Sequence, residues 1–345
     1  MRRAFELALR WPHTHPNPRV GSVVVNSSGE VIGEGWHRGP GTPHGEAEAL
    51  SHAGESARGA TVYVSLEPCS HHGRTPPCAD ALIAAGVARV VAATVDPDPN
   101  VSGRGIQKLR DAGIEVEVGI LEGEARQVDP AYFHHRETAM PLVTIKWAMT
   151  LDGSVAAADG TSQWVTGEEA RADAHRVRST VDAVVVGAGT VREDDPLLDV
   201  RLDDFAGSQP RPVIIAGRTP LPDHARIWDR DPIVVSAADR DIPRGQLLEV
   251  PGDEYLPDPV ATCRSLADLG LLHLLLEGGP SVARAWWDAG VVSDGLVYVG
   301  ARVGGGTGRS PLAGAFPTIT AATDVEFGGM RSVGEDVVIS FARKN

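Results

Sequence analysis

The chain has 345 residues, of which 42% are hydrophobic and 23% are charged, and its formal net charge is -14. Because one hydrophobic core rarely organises so long a chain, the length predicts about two domains. The composition is that of a globular protein and excludes disorder over most of the chain. Acidic residues outnumber basic ones by 46 to 32, which disfavours a general nucleic-acid binder, since such proteins usually carry a basic face.

Cysteine content and hydropathy indicate the compartment. The three cysteines, Cys69, Cys78 and Cys263, are too few and too unevenly spaced for a disulfide framework. Charged side chains interrupt the first residues, so these do not resemble a signal peptide. The most apolar stretch, residues 269–276, is far too short to span a bilayer. We therefore expect a cytoplasmic enzyme that makes no contact with a membrane.

In the first part of the chain, apolar β-branched runs alternate with helical patterns. The apolar runs predict strands at 20–25, 60–66, 89–95 and 115–118. The helical patterns predict helices at 46–57, 77–85 and 105–112. A polar, mostly helical connector is expected at 122–138.

The alternation then restarts with a new set of elements. Strands are predicted at 142–148, 183–187, 212–216, 233–236, 271–276, 296–300 and 336–342. Helices are predicted near 168–179 and 281–289, and surface loops at 202–209 and 251–259. Repeated strand–helix alternation predicts two three-layer α/β domains, which we place at residues 1–139 and 140–345.

The strongest chemical signal is His44-Gly45-Glu46, followed by Cys69 and Cys78. One imidazole and two thiolates form a three-ligand set that leaves tetrahedral zinc one open position for water. Zinc lowers the pKa of that water, and a carboxylate that is not a ligand must then carry protons. We therefore predict Zn²⁺ on His44, Cys69 and Cys78, with Glu46 as the catalytic acid and base.

Two simpler interpretations of these residues stay open. The histidine and the two thiols could fall in this order by chance in a buried core. A purely structural zinc is the second possibility, although structural sites usually recruit a fourth protein ligand.

The segment 69–78 (CSHHGRTPPC) resembles the cysteine segment of the bifunctional deaminase/reductase family of the riboflavin pathway. Its two cysteines are nine positions apart, whereas the common nucleobase-deaminase pattern places them three apart. Residues 15–21 (HPNPRVG) also resemble the substrate loop of that family. The resemblance implies a cytidine-deaminase-like domain whose substrate-binding residues are Asn17, His37, His71 and Arg74.

Two positions depart from the family pattern. Gly45 stands where alanine is usual, and Glu48 stands where histidine is common. Neither residue is a candidate ligand, so we expect altered helix stability rather than lost chemistry.

Taken alone, the second half gives weaker signals. The strand-following segment 187–192 (GAGTVR) lacks the third glycine of the dinucleotide fingerprint. The segment 277–281 (EGGPS) leads from an apolar strand into a helix, whose free N–H groups suit a phosphate. A tight strand-to-helix turn also needs glycine for geometric reasons, so both interpretations remain. The glycines at 304–306 indicate a mobile loop.

From about residue 141 to the end, the chain resembles the reductase domain of the same family, whose fold is like that of dihydrofolate reductase. The matching segments are 146–153 (KWAMTLDG), 162–166 (SQWVT), 187–198 and 277–280. The resemblance implies NADPH contacts at Ala148, Trp164, Thr190, Asp194, Gly217, Gly279, Pro280 and Ser281. It implies substrate contacts at Ser162, Arg178, Leu198, Arg201 and Glu277.

Further residues in this half are candidates on chemical grounds. Gly217 occupies a position that often carries a side chain in contact with the cofactor. Arg218 could bind the 2′-phosphate that distinguishes NADPH from NADH, and Lys146 and Asp152 are plausible polar neighbours of the reaction.

The resemblance implies a bifunctional enzyme of riboflavin biosynthesis. It would deaminate 2,5-diamino-6-(5-phosphoribosylamino)pyrimidin-4(3H)-one and then reduce the ribosyl group of 5-amino-6-(5-phosphoribosylamino)uracil with NADPH. A homo-oligomer is the family expectation. The alternatives are a deaminase whose second domain binds a ligand without reducing it, and a nucleic-acid-editing deaminase.

Overall fold

The computed structural model describes residues 1–71, 76–253, 256–306, 308–314 and 317–344. The chain forms two compact units, Met1–Ala139 and Met140–Asn345. Within the described ranges, no helix combines the length and the apolar character needed to cross a membrane.

The first unit surrounds one mixed sheet. Its helices are α1 Arg2–Ala8, α2 Gly45–Ala53, α3 Cys78–Ala85, α4 Arg104–Asp111, α5 Glu122–Val128 and α6 Pro130–Thr138. Its strands are β1 Gly21–Val25, β2 Val31–Trp36, β3 Thr61–Val64, β4 Arg89–Ala92 and β5 Glu115–Val118. The strand order is β2-β1-β3-β4-β5, with β1 antiparallel to both neighbours and β3, β4 and β5 parallel.

Helices cover both faces of this sheet. Successive residues of β1 point to opposite faces, so Val23 packs against α1 while Val24 joins the core that includes α2 and α3. Ala93, just after β4, packs with α1 and α5. The first unit therefore has three layers, as the sequence predicts.

The sequence analysis missed α1 and β2, and it joined α5 and α6 into one helix. Strand β2 is rich in glycine, which weakens the strand signal. A Cβ at Gly35 would lie 2.3 Å from the carbonyl oxygen of Gly45, so glycine lets α2 pack closely on β2. Asp129 separates α5 from α6, because its backbone is not helical (φ -145°).

The second unit surrounds a larger sheet. Its helices are α7 Glu168–Arg178, α8 Ala188–Asp194, α9 Pro259–Asp268 and α10 Pro280–Asp288. Its strands are β6 Leu142–Thr150, β7 Ala183–Gly187, β8 Arg211–Ile215, β9 Ile233–Ser236, β10 Gln246–Glu249, β11 His273–Leu276, β12 Asp294–Gly300, β13 Val325–Val333 and β14 Asp336–Arg343. Their order is β10-β9-β8-β7-β11-β6-β12-β14-β13.

Strands β6 to β12 are parallel, whereas β13 and β14 form an antiparallel hairpin at one edge. Adjacent residues of β7 serve opposite cores: Val185 packs on the side of Trp286 in α10, and Val184 on the side of Val191 in α8. The second unit is therefore also a three-layer α/β structure.

The sequence analysis missed α8, α9, β10 and β13. Strand β13 is mostly exposed and contains two adjacent glycines, so it lacks the apolar run that predicted the other strands. The predicted loop 251–259 ends where α9 begins, at Pro259, which occupies the first helical position as proline often does.

Candidate active sites

In the first unit, three soft donor groups converge. The Nδ1 atom of His44 lies 3.3 Å from the Sγ atom of Cys78 and 3.6 Å from that of Cys69. The ligand atoms of all three residues lie within 4.8 Å of one another. One imidazole nitrogen and two sulfurs are the donors that zinc takes in catalytic sites with an open position. The residues present therefore fit a zinc ion.

Two helix N-termini face this cluster. His44 directly precedes α2, and Cys78 is the first residue of α3. The backbone N–H of Cys78 donates a hydrogen bond to the Sγ atom of Cys69 (3.3 Å). Hydrogen bonds from the Cys78 thiol and His44 outweigh burial and lower the pKa of Cys69 to about 4. The environment thus favours a thiolate, which is the form that binds metals.

The turn that carries Cys69 is fixed by the start of α4. The buried carboxylate of Glu67 accepts backbone N–H groups from Gly103 (2.8 Å), Gly105 (3.0 Å) and Ile106 (3.2 Å). A Cβ at Gly105 would lie only 1.8 Å from the carbonyl oxygen of Pro68. Helix α4 therefore touches the backbone immediately before Cys69 and sets its position.

Glu46 lies in the first turn of α2 and is only 3% exposed. Burial, with a further contribution from the charge on Cys69, raises the pKa of Glu46 to about 7. A carboxyl group whose pKa is near neutrality can both accept and donate a proton, which general acid–base catalysis requires.

A histidine and an asparagine adjoin the cluster. The ring of His37 lies 5.1 Å from that of His44, and its Nδ1 atom donates to the carbonyl oxygen of Pro43 (3.0 Å). Its Nε2 atom is therefore left to accept the side-chain N–H of Asn17 (3.0 Å). Burial lowers the pKa of His37, which favours this neutral form.

The two other residues predicted for this site are His71 and Arg74. His71 is exposed. Arg74 lies outside the described residues.

The two departures from the family pattern have structural reasons. Glu48 accepts the backbone N–H of Trp36 (2.8 Å) and pairs with Arg38 (2.7 Å), so it fixes the end of β2. A Cβ at Gly45 would lie 2.9 Å from the carbonyl oxygen of Val20, so alanine would require a small shift there.

In the second unit, two adjoining cavities contain the predicted cofactor and substrate residues. The larger, about 650 Å³, lies where β7 and β8 end and α10 begins, and Arg218 contributes to its wall. The second is about 380 Å³, and Thr190 lines both. The larger cavity also contains Gly217, Gly279, Pro280 and Ser281. The second contains Ala148, Ser162, Trp164, Arg178, Asp194, Leu198, Arg201 and Glu277.

A buried ion pair lies in the wall of the second cavity. Both oxygens of Glu277 accept hydrogen bonds from Arg178 (2.6 and 2.9 Å), and Lys146 lies 3.5 Å from the same carboxylate. Burial alone would raise the pKa of Glu277, but the charges of Arg178 and Lys146 hold it well below its usual range. The carboxylate therefore stays ionised and fixes the orientation of the Arg178 guanidinium.

Sequence reasoning missed two arginines of this cavity, Arg171 and Arg226. Arg226 pairs with Asp195 (3.0 Å). Because Arg226 lies far along the chain from the other lining residues, the sequence offered no signal that would have identified it. Arg171 lies over the ring of Trp164, 4.5 Å from the ring centre. Its spacing of seven from Arg178, which places both on one helix face, could have revealed it.

Asp152 holds the glycine loop at residues 304–306 through backbone hydrogen bonds. Its carboxylate accepts the backbone N–H groups of Gly304 (3.2 Å) and Gly305 (2.6 Å). A hydrogen bond from the Thr150 hydroxyl, followed by those from the two glycines, lowers the pKa of Asp152 to about 2. The carboxylate of Asp152 therefore anchors the glycine loop.

The 277–281 turn contains two glycines, and close packing requires glycine at only one of these positions. A Cβ at Gly278 would lie 2.9 Å from the backbone nitrogen of Gly187, whereas one at Gly279 would meet only the Thr190 hydroxyl oxygen at 3.5 Å. Close packing thus explains Gly278 but not Gly279, which borders the larger cavity.

Comparisons with known proteins cover both units. Residues 1–94 match the cytidine and deoxycytidylate deaminase zinc-binding region, and residues 141–339 match the RibD C-terminal domain. The riboflavin biosynthesis protein RibD of Aquifex aeolicus is 39% identical over 99% of this chain and 97% of its own length. That of Escherichia coli is 38% identical over 98% and 97%.

Two solved structures are similar to this chain along its whole length. Acinetobacter baumannii RibD has a TM-score of 0.92 at 35% identity and covers 100% of this chain and 98% of its own. A Thermotoga maritima protein described as a diaminohydroxyphosphoribosylaminopyrimidine deaminase/5-amino-6-(5-phosphoribosylamino)uracil reductase has a TM-score of 0.88 at 31% identity, with coverages of 100% and 97%.

The fold and the sites define a zinc-binding deaminase joined to a reductase in a single chain. The chain belongs to the RibD family of riboflavin biosynthesis proteins. It is an enzyme with a deaminase domain and a reductase domain, and its cofactors are zinc and NADPH. These findings favour the bifunctional interpretation over both alternatives.

Proposed function

We propose that residues 1–139 deaminate 2,5-diamino-6-(5-phosphoribosylamino)pyrimidin-4(3H)-one and that residues 140–345 reduce the ribosyl group of the resulting aminouracil. The name of the Thermotoga maritima relative supports this substrate class. The order follows from the names, because the second reaction takes a uracil, which deamination produces.

In the deaminase site, His44, Cys69 and Cys78 hold the zinc. Bound zinc supplies Lewis-acid chemistry that activates water near neutral pH. Glu46 would take a proton from a water molecule whose oxygen adds to the ring carbon that bears the amino group. One proton of this water passes to the adjacent ring nitrogen and the other to the amino group, so that the C–N bond breaks, the ring carbonyl forms and ammonia leaves. Asn17, His37, His71 and Arg74 bind the substrate, and the hydrogen bond between Asn17 and His37 fixes both side chains (3.0 Å).

In the reductase unit, the larger cavity takes most of the cofactor, and the second takes the substrate. Bound NADPH supplies the hydride. Thr190, which lines both cavities, marks the region where cofactor and substrate meet. Arg178 and Arg201 bind the substrate phosphate, because an acidic protein needs local cations for an anionic ligand. Glu277 fixes the orientation of Arg178 through its two hydrogen bonds.

The observation that carries the proposal is the convergence of the His44, Cys69 and Cys78 donor atoms within 4.8 Å, close to the buried Glu46. A coupled assay tests it: the purified chain, zinc, NADPH and the diaminopyrimidine phosphate are combined, and ammonia and NADPH are followed together. We expect ammonia release to precede NADPH oxidation, in equal final amounts. NADPH oxidation without ammonia release would contradict the proposal.

A homo-oligomer and a cytoplasmic location stay predictions. Light scattering of the purified chain measures the first, and fractionation of the producing cells measures the second.

A further inference from the structure

The second cavity of the reductase unit is lined by several cations, and in the described part of the chain all but one of them have a carboxylate partner. Arg178 and Lys146 share Glu277. The other paired cations of this cavity are Arg201, with Asp199, and Arg226, with Asp195. Among the described residues, no carboxylate lies within ion-pair distance of Arg171. Its contacts are the carbonyl oxygen of Thr166 (2.8 Å) and the ring of Trp164.

The two arginines of α7 that line this cavity, Arg171 and Arg178, lie at opposite ends of the helix. Arg171 is in its first turn and Arg178 is its last residue. Seven residues amount to about two turns, which places both side chains on one face, roughly 10 Å apart along the axis. If the substrate phosphate lies at Arg178 and Arg201, a substrate that extends along the cavity brings its pyrimidine ring towards Arg171 and Trp164.

A guanidinium group donates hydrogen bonds and cannot accept them. It therefore suits a carbonyl oxygen and opposes an amino group, which also presents donors. Deamination makes this exchange on the pyrimidine, because a ring amino group becomes a ring carbonyl. The contact with Thr166 uses one nitrogen of Arg171, which leaves further donors for a ligand.

We propose that Arg171 is a specificity-determining residue of the reductase, which binds the carbonyl oxygen that deamination creates and so selects the aminouracil over its diaminopyrimidine precursor. The inference rests on the proposed function. It gives the reductase unit its own means of enforcing the order of the two reactions. Trp164, whose side chain lies under the guanidinium and is 58% exposed, supports Arg171 from one side.

The test compares the kcat/KM of NADPH oxidation for the aminouracil and for the diaminopyrimidine. All proteins carry E46A in the full chain, so that the deaminase site does not convert one substrate into the other. We expect R171Q to lower kcat/KM for the aminouracil about 10- to 100-fold, mainly through KM, with a smaller effect on the diaminopyrimidine. R171K, which keeps the charge but loses the planar fork, should lose part of the selectivity.

The matched control is R176Q, which removes an exposed arginine from the same helix and should keep the wild-type selectivity. Circular dichroism and thermal melting establish whether each variant is folded. If R171Q does not fold, the selectivity of R171K tests the inference in its place. An equal loss on both substrates, or no loss on either, would overturn the inference. Failure of the E46A chain with Arg171 intact to oxidise NADPH with the aminouracil would instead contradict the proposed function.

Discussion

Glu46 illustrates how a single side chain acquires its chemistry from its surroundings. It is buried beside Cys69 and Cys78, and its pKa of about 7 reflects that burial and the charge on Cys69. A glutamate that is exposed to solvent has the same functional group but lacks the burial that raises the pKa of Glu46. The proposed role in proton transfer therefore depends on position, and substitution tests it directly.

We expect E46A to lower ammonia release at least about 100-fold, because general acid–base catalysis contributes on this order. Reduction of supplied aminouracil by NADPH should stay at the wild-type rate, because the two sites use separate residues. E55A, which removes an exposed glutamate just after α2, is the control and should change neither activity. Loss of both activities in folded E46A would show that the sites are not independent.

Arg218 lines the larger cavity of the reductase unit, and its substitution tests how the cofactor is recognised. If its guanidinium binds the 2′-phosphate, R218A should raise the KM for NADPH roughly 10-fold or more, because a charge-assisted hydrogen bond is lost. The KM for NADH should not change. Steady-state kinetics with both cofactors measure this, with R264A on α9 as the control. An unchanged preference for NADPH would reject the assignment.

At the scale of elements, the positions of the proposed zinc ligands depend on contacts between helices and turns. Helix α4 contributes no ligand, yet its first turn holds the Pro68–Cys69 backbone through Glu67 and Gly105. Several residues outside the metal cluster therefore decide whether Cys69 reaches the metal.

The closeness of α4 to Pro68 gives a prediction. In G105A, the new methyl group would clash with the Pro68 carbonyl oxygen, so we expect weaker zinc binding and a loss of about 1–3 kcal/mol in unfolding free energy. Zinc titration and thermal melting measure the two effects. G123A in α5 is the control: beyond its own helix backbone and chain neighbours, none of the described atoms lies within 4 Å of its new Cβ, so the variant should be equally or more stable. Similar losses in both variants would contradict the positional explanation.

The contact between Asp96, which follows β4, and Tyr132 of α6 predicts a dependence of stability on pH. The buried carboxyl group of Asp96 accepts a hydrogen bond from the Tyr132 hydroxyl (3.0 Å), and burial raises the pKa of Asp96 to about 6. The unfolded value is about 3.9, so the folded state binds more protons between these values. This contribution to stability is therefore present below about pH 4 and is lost as the pH rises to about 6.

We expect D96N, whose amide oxygen can still accept the Tyr132 hydroxyl, to remove this dependence. The difference in unfolding free energy between the variant and the wild type should change by about 2 kcal/mol across this range. Urea unfolding at several pH values measures it, and D111N, at an exposed site in α4, serves as the control. A constant difference between D96N and the wild type would show that Asp96 does not titrate there.

At the scale of the whole molecule, one chain combines two α/β units that use different cofactors. Each unit has its own core, and the residues proposed to bind zinc all belong to the first. The two activities should therefore respond separately to loss of the metal.

Removal of zinc by chelation should abolish ammonia release and leave NADPH oxidation with supplied aminouracil unchanged. Both rates are measured before chelation, after it, and after zinc is added back, which should restore ammonia release. Melting curves establish that the chelated chain stays folded. A parallel loss of both rates in a folded chain would contradict separate sites.

The sequence predicted those parts of the fold that local patterns encode. The apolar runs gave β7, β8 and β9 nearly residue for residue, because buried parallel strands are continuous apolar segments. It missed β2 and β13, whose glycines and exposed residues break that pattern. Arg226 escaped notice for another reason, since only the folded chain brings it to the second cavity of the reductase unit.

By itself, the sequence determined the two-unit α/β organisation, the zinc-type donor set and the family, because these depend on residue types and on spacing along the chain. Only the tertiary structure decided that Glu46 is buried, that Asp152 anchors a loop, and that Arg171 lacks a carboxylate partner among the described residues. Those properties depend on which groups from distant parts of the chain become neighbours, and such neighbours set burial, pKa and ion pairing.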